Sequence, residues 1–316
     1  MTIDGTNTVR VAGLVAETQD VLSIVLEPVA GARLPRWEPG AHIDVLTGNG
    51  LERQYSLCSD PADEARWRIA VLREPESRGG SEWLHTSLSV GDTLRVRGPR
   101  NNFALGEAAG YVFIAGGIGI TPLLPMIAEV DRRGADWTLV YGGRRAASMA
   151  FTHELERYGD RVLLWPQDRH GLIDLERWIG TPRSDVLVYS CGPGALLDAV
   201  ERTCAPWPPG SLRIERFRPR DGALAGENTP FEVVFKRSGV SAVVGSTESI
   251  VDVAEAAGVR VQTSCGEGTC GSCEADVLEG TPDHRDSYLT AEEQEEGDTM
   301  MICCSRSSTP RLVLDL

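Results

Sequence analysis

Ser264-Cys265-Gly266-Glu267-Gly268-Thr269-Cys270-Gly271-Ser272-Cys273 sets three cysteines in the spacing C-x4-C-x2-C, and a fourth follows at Cys303 after 29 intervening residues. Four thiolates in that order form the ligand pattern of a plant-type [2Fe-2S] cluster. One tight loop supplies three of them. Its glycines let the backbone turn sharply and bring N–H groups close to the sulfurs. A structural zinc site pairs two short knuckles instead. Disulfides need an oxidising compartment, and no signal peptide is read at the start of the chain. Cys303 and Cys304 are adjacent, and only one of them can face the cluster.

Around this loop, 316 residues allow two or three domains, and 41% hydrophobic with 24% charged residues is ordinary for a globular chain. The net charge of −15 argues against a nucleic-acid partner, because a phosphate backbone would be repelled. From Pro230 onward there are 16 acidic residues against 6 basic ones. The run Glu292, Glu293, Glu295, Glu296 and Asp298 reads first as a solvated face, and second as a docking surface for a basic redox partner. Tyr111 to Ala128 is 18 uncharged residues, the length of a membrane span, but it holds three glycines and two prolines and divides into strand, loop and helix. The expectation is a soluble cytoplasmic protein without a membrane partner. Cys58, Cys191 and Cys204 are then expected as free thiols.

The first hundred or so residues alternate apolar and polar positions in short runs, as in Val21–Leu26, His42–Leu46, Trp67–Leu72 and Thr93–Pro99. This predicts an antiparallel β-barrel domain over 1–104, interrupted by one helix from Gly80 to about Leu88. The middle third changes rhythm. Apolar strands at Tyr111–Ala115, Thr138–Tyr141, Val162–Trp165 and Val186–Ser190 alternate with helical patterns at Leu123–Arg133, Ala150–Tyr158, Leu175–Trp178 and Ala195–Thr203, and a last strand falls at Leu212–Phe217. That is an α/β parallel-sheet domain over 105–220. Residues 221–229 read as a linker, and 230–316 as the cluster domain. In it, strands are predicted at Phe231–Lys236 and Ala242–Val244, then a helix near Ser249 with Ser246 and Thr247 as capping candidates.

Two further constellations carry chemistry. In Arg53-Gln54-Tyr55-Ser56-Leu57, strand alternation puts Arg53, Tyr55 and Leu57 on one face. An arginine suits a phosphate, a tyrosine can pack on a flavin, and a serine hydroxyl can hydrogen-bond a ring nitrogen. Arg78-Gly79-Gly80-Ser81 precedes the predicted helix, where free N–H groups can hold a phosphate. Ala70 and Phe217 complete the candidate cofactor contacts. The second constellation is Gly116-Gly117-Ile118-Gly119-Ile120-Thr121-Pro122 after the first parallel strand, joined by Cys191-Gly192-Pro193 after the fourth. Glycine-rich turns at the carboxyl edge of such a sheet make a nicotinamide crevice. Arg144 and Arg145 suit a 2′-phosphate, whereas Asp168 suits a free ribose hydroxyl and repels a phosphate, which favours NADH.

Taken in order, Arg53-x-Tyr55-Ser56-Leu57, Gly79-Gly80-Ser81, GGIGITP, CGP, C-x4-C-x2-C and the ending MMICCSRS…LVLDL resemble the phthalate dioxygenase reductase family, the class IA oxygenase reductases. The resemblance runs over nearly the whole chain. It implies a ferredoxin reductase-like pair of domains followed by a β-grasp ferredoxin. It also implies FMN, NADH and a [2Fe-2S] cluster, and a monomer that serves a Rieske-type terminal oxygenase, with a cytochrome P450 as the alternative partner. By position, Arg53 and Gly79 to Ser81 would hold the FMN phosphate, Tyr55 and Ser56 would lie against the ring, and Thr121 and Cys191 would border the nicotinamide. Ser56, Thr121 and Cys191 are thus the candidates closest to the chemistry. The resemblance favours Cys303 as fourth ligand. Cys304 departs from the family pattern, where valine is common.

Overall fold

The computed structural model describes residues 6–316. The chain divides into two compact units, the first ending at Glu215 and the second running from Arg216 to Leu316.

The first unit begins with β1 (Thr6–Ala16), β2 (Val21–Pro28), β3 (His42–Leu46), β4 (Glu52–Ser56), β5 (Trp67–Leu72), α1 (Gly80–Thr86) and β6 (Thr93–Arg100). The strands form one six-stranded antiparallel sheet in the order β4-β3-β6-β1-β2-β5. A bridge between Leu57 and Ile69 brings the two ends of that order together and closes the barrel. Alternation explains the interior: Val9, Val11, Ile24, Leu26, Ile43, Val45, Trp67, Ile69 and Val71 all point inward. Each such side chain contributes roughly 1.5–3 kcal/mol on burial. The helix ends at Thr86, short of the expected Leu88, because Leu88 turns in to join this core.

The parallel layer follows: β7 (Gly110–Gly116), α2 (Leu123–Arg132), β8 (Asp136–Gly143), α3 (Thr152–Leu155), β9 (Val162–Pro166), α4 (Gln167–His170), α5 (Leu175–Ile179), β10 (Val186–Cys191), α6 (Gly194–Cys204) and β11 (Leu212–Glu215). The helix expected over Ala150–Tyr158 is one α turn and then a 3₁₀ stretch to Arg161, broken at Gly159, whose φ is +57°. The sheet order is β11-β10-β7-β8-β9, all parallel. On one face α2 buries Leu123, Met126, Ile127 and Val130, at helical spacing, against Phe113, Trp137, Leu139 and Tyr141. On the other, Ile179, Val200, Cys204 and Trp207 cover Ile114, Val140, Val186 and Val188. Order reverses between β7 and β10, so the chain leaves both strands at the same edge in opposite directions. That switch point is where a crevice opens in sheets of this kind. The 18 uncharged residues from Tyr111 are thus strand, 3₁₀ turn and buried helix. Among the described residues no helix is long and apolar enough to cross a membrane.

An ion pair joins the barrel and the parallel sheet. Arg68 on β5 forks onto Glu154 of α3, donates to Cys58 O at 2.9 Å, and lies 5.0 Å from the Phe151 ring centre. Phe151 adopts φ +62°, an unusual conformation for a side chain of that size.

The second unit holds β12 (Phe231–Phe235), β13 (Val240–Val244), α7 (Ile250–Ala256), β14 (Glu274–Glu279), β15 (Pro282–Asp283), α8 (Ala291–Glu296), β16 (Thr299–Met301), β17 (Arg306–Ser307) and β18 (Arg311–Leu314). Five strands run β13-β12-β18-β14-β16, with β12 and β18 parallel, and β15 pairs with β17. Phe231, Val233, Phe235, Ile250, Ala254, Met300, Leu312 and Leu314 make its core. The cap of α7 is Ser249 rather than Ser246 or Thr247, because Asp252 returns a hydrogen bond to it. Thr290 and Glu293 cap α8 in the same way, and the acidic side chains of that helix face solvent. The end of the stretch read as a linker, residues 227–229, is held by two arginines. Arg285 donates to Asn228 Oδ1 at 2.6 Å and to Glu227 O at 3.0 Å, and Arg306 donates to Thr229 O at 3.2 Å.

Candidate functional site

On the barrel, β4 delivers Arg53 to the turn before α1. Its guanidinium donates to Glu52 O at 2.7 Å and to Arg78 O at 3.4 Å. The side chain lies flat on Gly80, where an added Cβ would come within 2.7 Å of Arg53 Cγ. Gly79 has φ +94°, and its carbonyl accepts from Asn49 Nδ2 at 3.1 Å. Ser77 Oγ accepts the Gly79 N–H at 3.1 Å and lies 3.0 Å from Ser81 Oγ. Arg53, Gly79, Gly80 and Ser81 therefore come together as one cradle. Tyr55 is partly buried, and desolvation pushes its phenol up. Ser56 Oγ is buried with no hydrogen-bond partner among the described residues. A buried hydroxyl is normally paired, so this atom fits a polar ligand atom such as a flavin nitrogen. Leu57 and Ala70 differ from expectation: both side chains are sunk in packed cores and offer a ligand only backbone. Phe217 belongs to the second unit and is 42% exposed.

At the parallel sheet's switch point the two glycine loops meet backbone to backbone. Register sets Ala115 beside Cys191, so Gly116 stands beside Gly192. A Cβ on Gly116 would sit 2.6 Å from Pro193 Cδ, and one on Gly119 would sit 2.3 Å from Cys191 O. A Cβ on Gly192 would sit 2.9 Å from Gly116 Cα. Gly117 has φ +54° and faces open space. Thr121 is buried and donates to Ile118 O at 2.9 Å, which closes the 3₁₀ turn, and Pro122 then starts α2. Arg144 and Asp168, at the ends of β8 and β9, are joined by Asp168 N–H donating to Arg144 O at 3.2 Å. Both candidates for the ribose end thus share one short surface.

Cys191 is fully buried at the end of β10. Its thiol faces Glu215 Oε2 at 4.0 Å from the end of β11. Burial, and then the Glu215 carboxylate, push that thiol well above its usual range. Burial pushes the Glu215 carboxyl up to about 8. Sequence reasoning passed over Glu215. The signal was an acidic residue closing the last parallel strand, at the edge that Cys191 already marked.

In the second unit the thiols converge. Cys265 Sγ accepts N–H groups from Glu267 at 3.3 Å and Thr269 at 3.4 Å. Hydrogen bonds from Cys270 and Cys303, with those N–H groups, hold Cys265 well below the usual thiol range, and Cys303 lowers Cys273. Gly266, Gly268 and Gly271 take φ of +70°, +68° and +73°, which lets the loop wrap the sulfurs. Cys265, Cys270, Cys273 and Cys303 form one contact group, and thiolates in such a set suit iron–sulfur ligation. Asp286 packs on Gly268 and accepts the Tyr288 and Leu289 N–H groups at 3.1 and 2.8 Å.

Fold and sites together define a two-unit redox protein, a ferredoxin reductase-like body followed by a plant-type ferredoxin domain. Residues 233–308 match the 2Fe-2S iron-sulfur cluster binding domain family. The chain is 43% identical over 309 residues to the phenoxybenzoate dioxygenase subunit beta of Ectopseudomonas oleovorans, covering 97% of this chain and 96% of that one. The solved structure of phthalate dioxygenase reductase, described as a modular structure for electron transfer from pyridine nucleotides to [2Fe-2S], matches at 37% identity and TM-score 0.72, over 99% of this chain and 98% of its own. An intact type IV self-sufficient cytochrome P450 monooxygenase matches at 44% identity and TM-score 0.87 over 98% of this chain, which spans 41% of that larger one. The chain belongs to the phthalate dioxygenase reductase family and is an oxidoreductase of the oxygenase-reductase kind.

Proposed function

We propose that this chain takes electrons from NADH, passes them through FMN to a [2Fe-2S] cluster, and delivers them to a separate Rieske-type oxygenase, working as a cytoplasmic monomer. The observation that carries the reading is the near full-length match to a reductase described as joining pyridine nucleotides to [2Fe-2S], on a chain that brings three thiols of one loop together with the thiol of Cys303. When bound, FMN accepts an electron pair as hydride and releases electrons singly, and the cluster carries one at a time.

The protein's own part is to hold and orient. Arg53 and the Gly79–Ser81 turn offer a cation and a tight backbone to a terminal phosphate. Ser56 offers its buried hydroxyl to the flavin ring, and Tyr55 offers an apolar face. Gly116, Gly119 and Gly192 let the two loops close backbone on backbone, and Gly117 leaves open space beside them for a nicotinamide, with Thr121 and Cys191 as neighbours. The hydride step needs no side chain to give or take a proton. Asp168 beside Arg144 favours a free ribose hydroxyl and so NADH.

The test is an anaerobic NADH titration followed by visible absorption and low-temperature EPR. Flavin bleaching with a rhombic reduced-cluster signal supports the series. Bleaching without that signal rejects it. A cytochrome P450 partner is the second reading, favoured by the match to the self-sufficient P450. Reduction of a purified Rieske oxygenase, against the carbon monoxide difference spectrum of a P450, separates the two. Light scattering on a sizing column checks the monomer.

A further inference from the structure

Five thiols, not four, stand at the cluster loop. Cys303 lies within hydrogen-bond reach of Cys265, Cys273 and Cys304. Cys304 is half-buried, and its sulfur rests on the loop itself: a Cβ on Gly268 would sit 2.4 Å from Cys304 Sγ. Glycine at 268 is what leaves room for that sulfur. Its other polar contacts among the described residues are long, 3.9 Å to Met301 O and 4.0 Å to Ser305 Oγ. Apart from its neighbour Cys303, the fifth thiol has only these long contacts to give up.

Both cysteines lie in a turn between β16 and β17, where Cys304 N–H and Ser305 N–H share Met301 O at 3.4 and 3.0 Å. Outside a ladder, a modest backbone rotation exchanges neighbouring side chains without breaking sheet pairing. Cys303 reaches two other ligands, Cys265 and Cys273, which makes it the resident fourth ligand.

We propose that Cys304 is a reserve ligand, whose sulfur takes the fourth position on the cluster when Cys303 is lost. In that exchange Cys304 gives its thiol proton to solvent and forms one iron–sulfur bond in place of the missing one. The inference rests on the cluster reading of the loop.

The experiment uses the full chain as wild type, Cys303→Ala, Cys304→Ala and the double variant, each reconstituted with iron and sulfide. Iron content, dithionite-reduced EPR and alkylation of Cys304 by iodoacetamide are read by assay, spectroscopy and mass spectrometry. Wild type and Cys304→Ala should carry the same iron and the same g-values. Cys303→Ala should keep most of the wild-type iron with shifted g-values, and its Cys304 should be shielded from alkylation that it undergoes in the wild type. The double variant should lose the iron. Retained flavin absorbance and far-ultraviolet circular dichroism show that each variant is folded. A Cys303→Ala chain as empty as the double variant, beside a loaded wild type, overturns the reserve role alone. So does loss of iron from Cys304→Ala, which would make Cys304 the resident ligand. An iron-free wild type overturns the cluster reading and the reserve role with it.

Discussion

Cys191 Sγ stands 4.0 Å from Glu215 Oε2, across the facing ends of two adjacent parallel strands. The pairing puts a thiol and a carboxyl at the switch point, where the sheet offers its crevice. Burial raises both groups above their usual ranges.

The Glu215 carboxyl, pushed up to about 8, ties stability to pH. Between the ordinary carboxylate range and about 8, the folded chain keeps a proton that the unfolded chain releases. This contribution to stability is complete below the ordinary range and is lost as pH rises through the folded value. Glu215→Gln should remove it. Melting temperatures taken from roughly pH 5 to roughly pH 9 should fall more steeply for the wild type than for the variant. Parallel curves would show that Glu215 ionises normally.

Ser56 Oγ is a buried orphan, and an orphan costs stability until a ligand pairs with it. Ser56→Ala should leave the melting temperature of the flavin-free chain unchanged or slightly raised. Losing one hydrogen bond to the flavin should slow its reduction by NADH up to about tenfold. Stopped-flow absorbance reads that rate, and an unchanged value takes Ser56 out of the site.

The parts legible in the sequence were those that one short stretch could declare. Glycine density in 116–119 and cysteine spacing in 265–273 announced their loops because glycine and thiol chemistry are local properties. Strand alternation placed the barrel, but not the fate of Leu57, whose side chain is claimed by the closing bridge to Ile69. Ser249 was one of three hydroxyl residues within four positions, and only the returning bond from Asp252 selects it as the cap. Glu215 and the Arg68–Glu154 pair needed strand adjacency and a partner 86 residues away, which no local pattern encodes.

The glycine loops predict a contrast. Gly119→Ala forces a Cβ to 2.3 Å from Cys191 O, a backbone atom that cannot swing aside. Gly194→Ala, at the start of α6, meets nothing within 4 Å. The first should cost about 1–3 kcal/mol and raise the KM for NADH by pushing the two loops apart. The second should be near neutral in both. Chemical denaturation with steady-state ferricyanide reduction measures the pair, and equal behaviour would mean that the loops yield more easily than their backbone packing implies.

Asp168 and Arg144 are the two candidates proposed for the ribose end. The Asp168 N–H donates to the Arg144 carbonyl, so the two residues are backbone neighbours, and on the proposed reading a 2′-phosphate drawn to the guanidinium would also meet the carboxylate. Like charges about 4 Å apart repel by about 1 kcal/mol in bulk water and by more near a protein surface. Asp168→Ser removes the repulsion and leaves Arg144 free to attract. The kcat/KM for NADPH should rise by about tenfold relative to that for NADH, which is the ratio a change of about 1.4 kcal/mol produces. Most of the change should fall in KM, because the ribose end is remote from hydride transfer. Arg144→Ala in the Asp168→Ser background should then cancel the gain. If NADPH use is unaltered in the single variant, the surface joining Asp168 and Arg144 is not where the ribose docks.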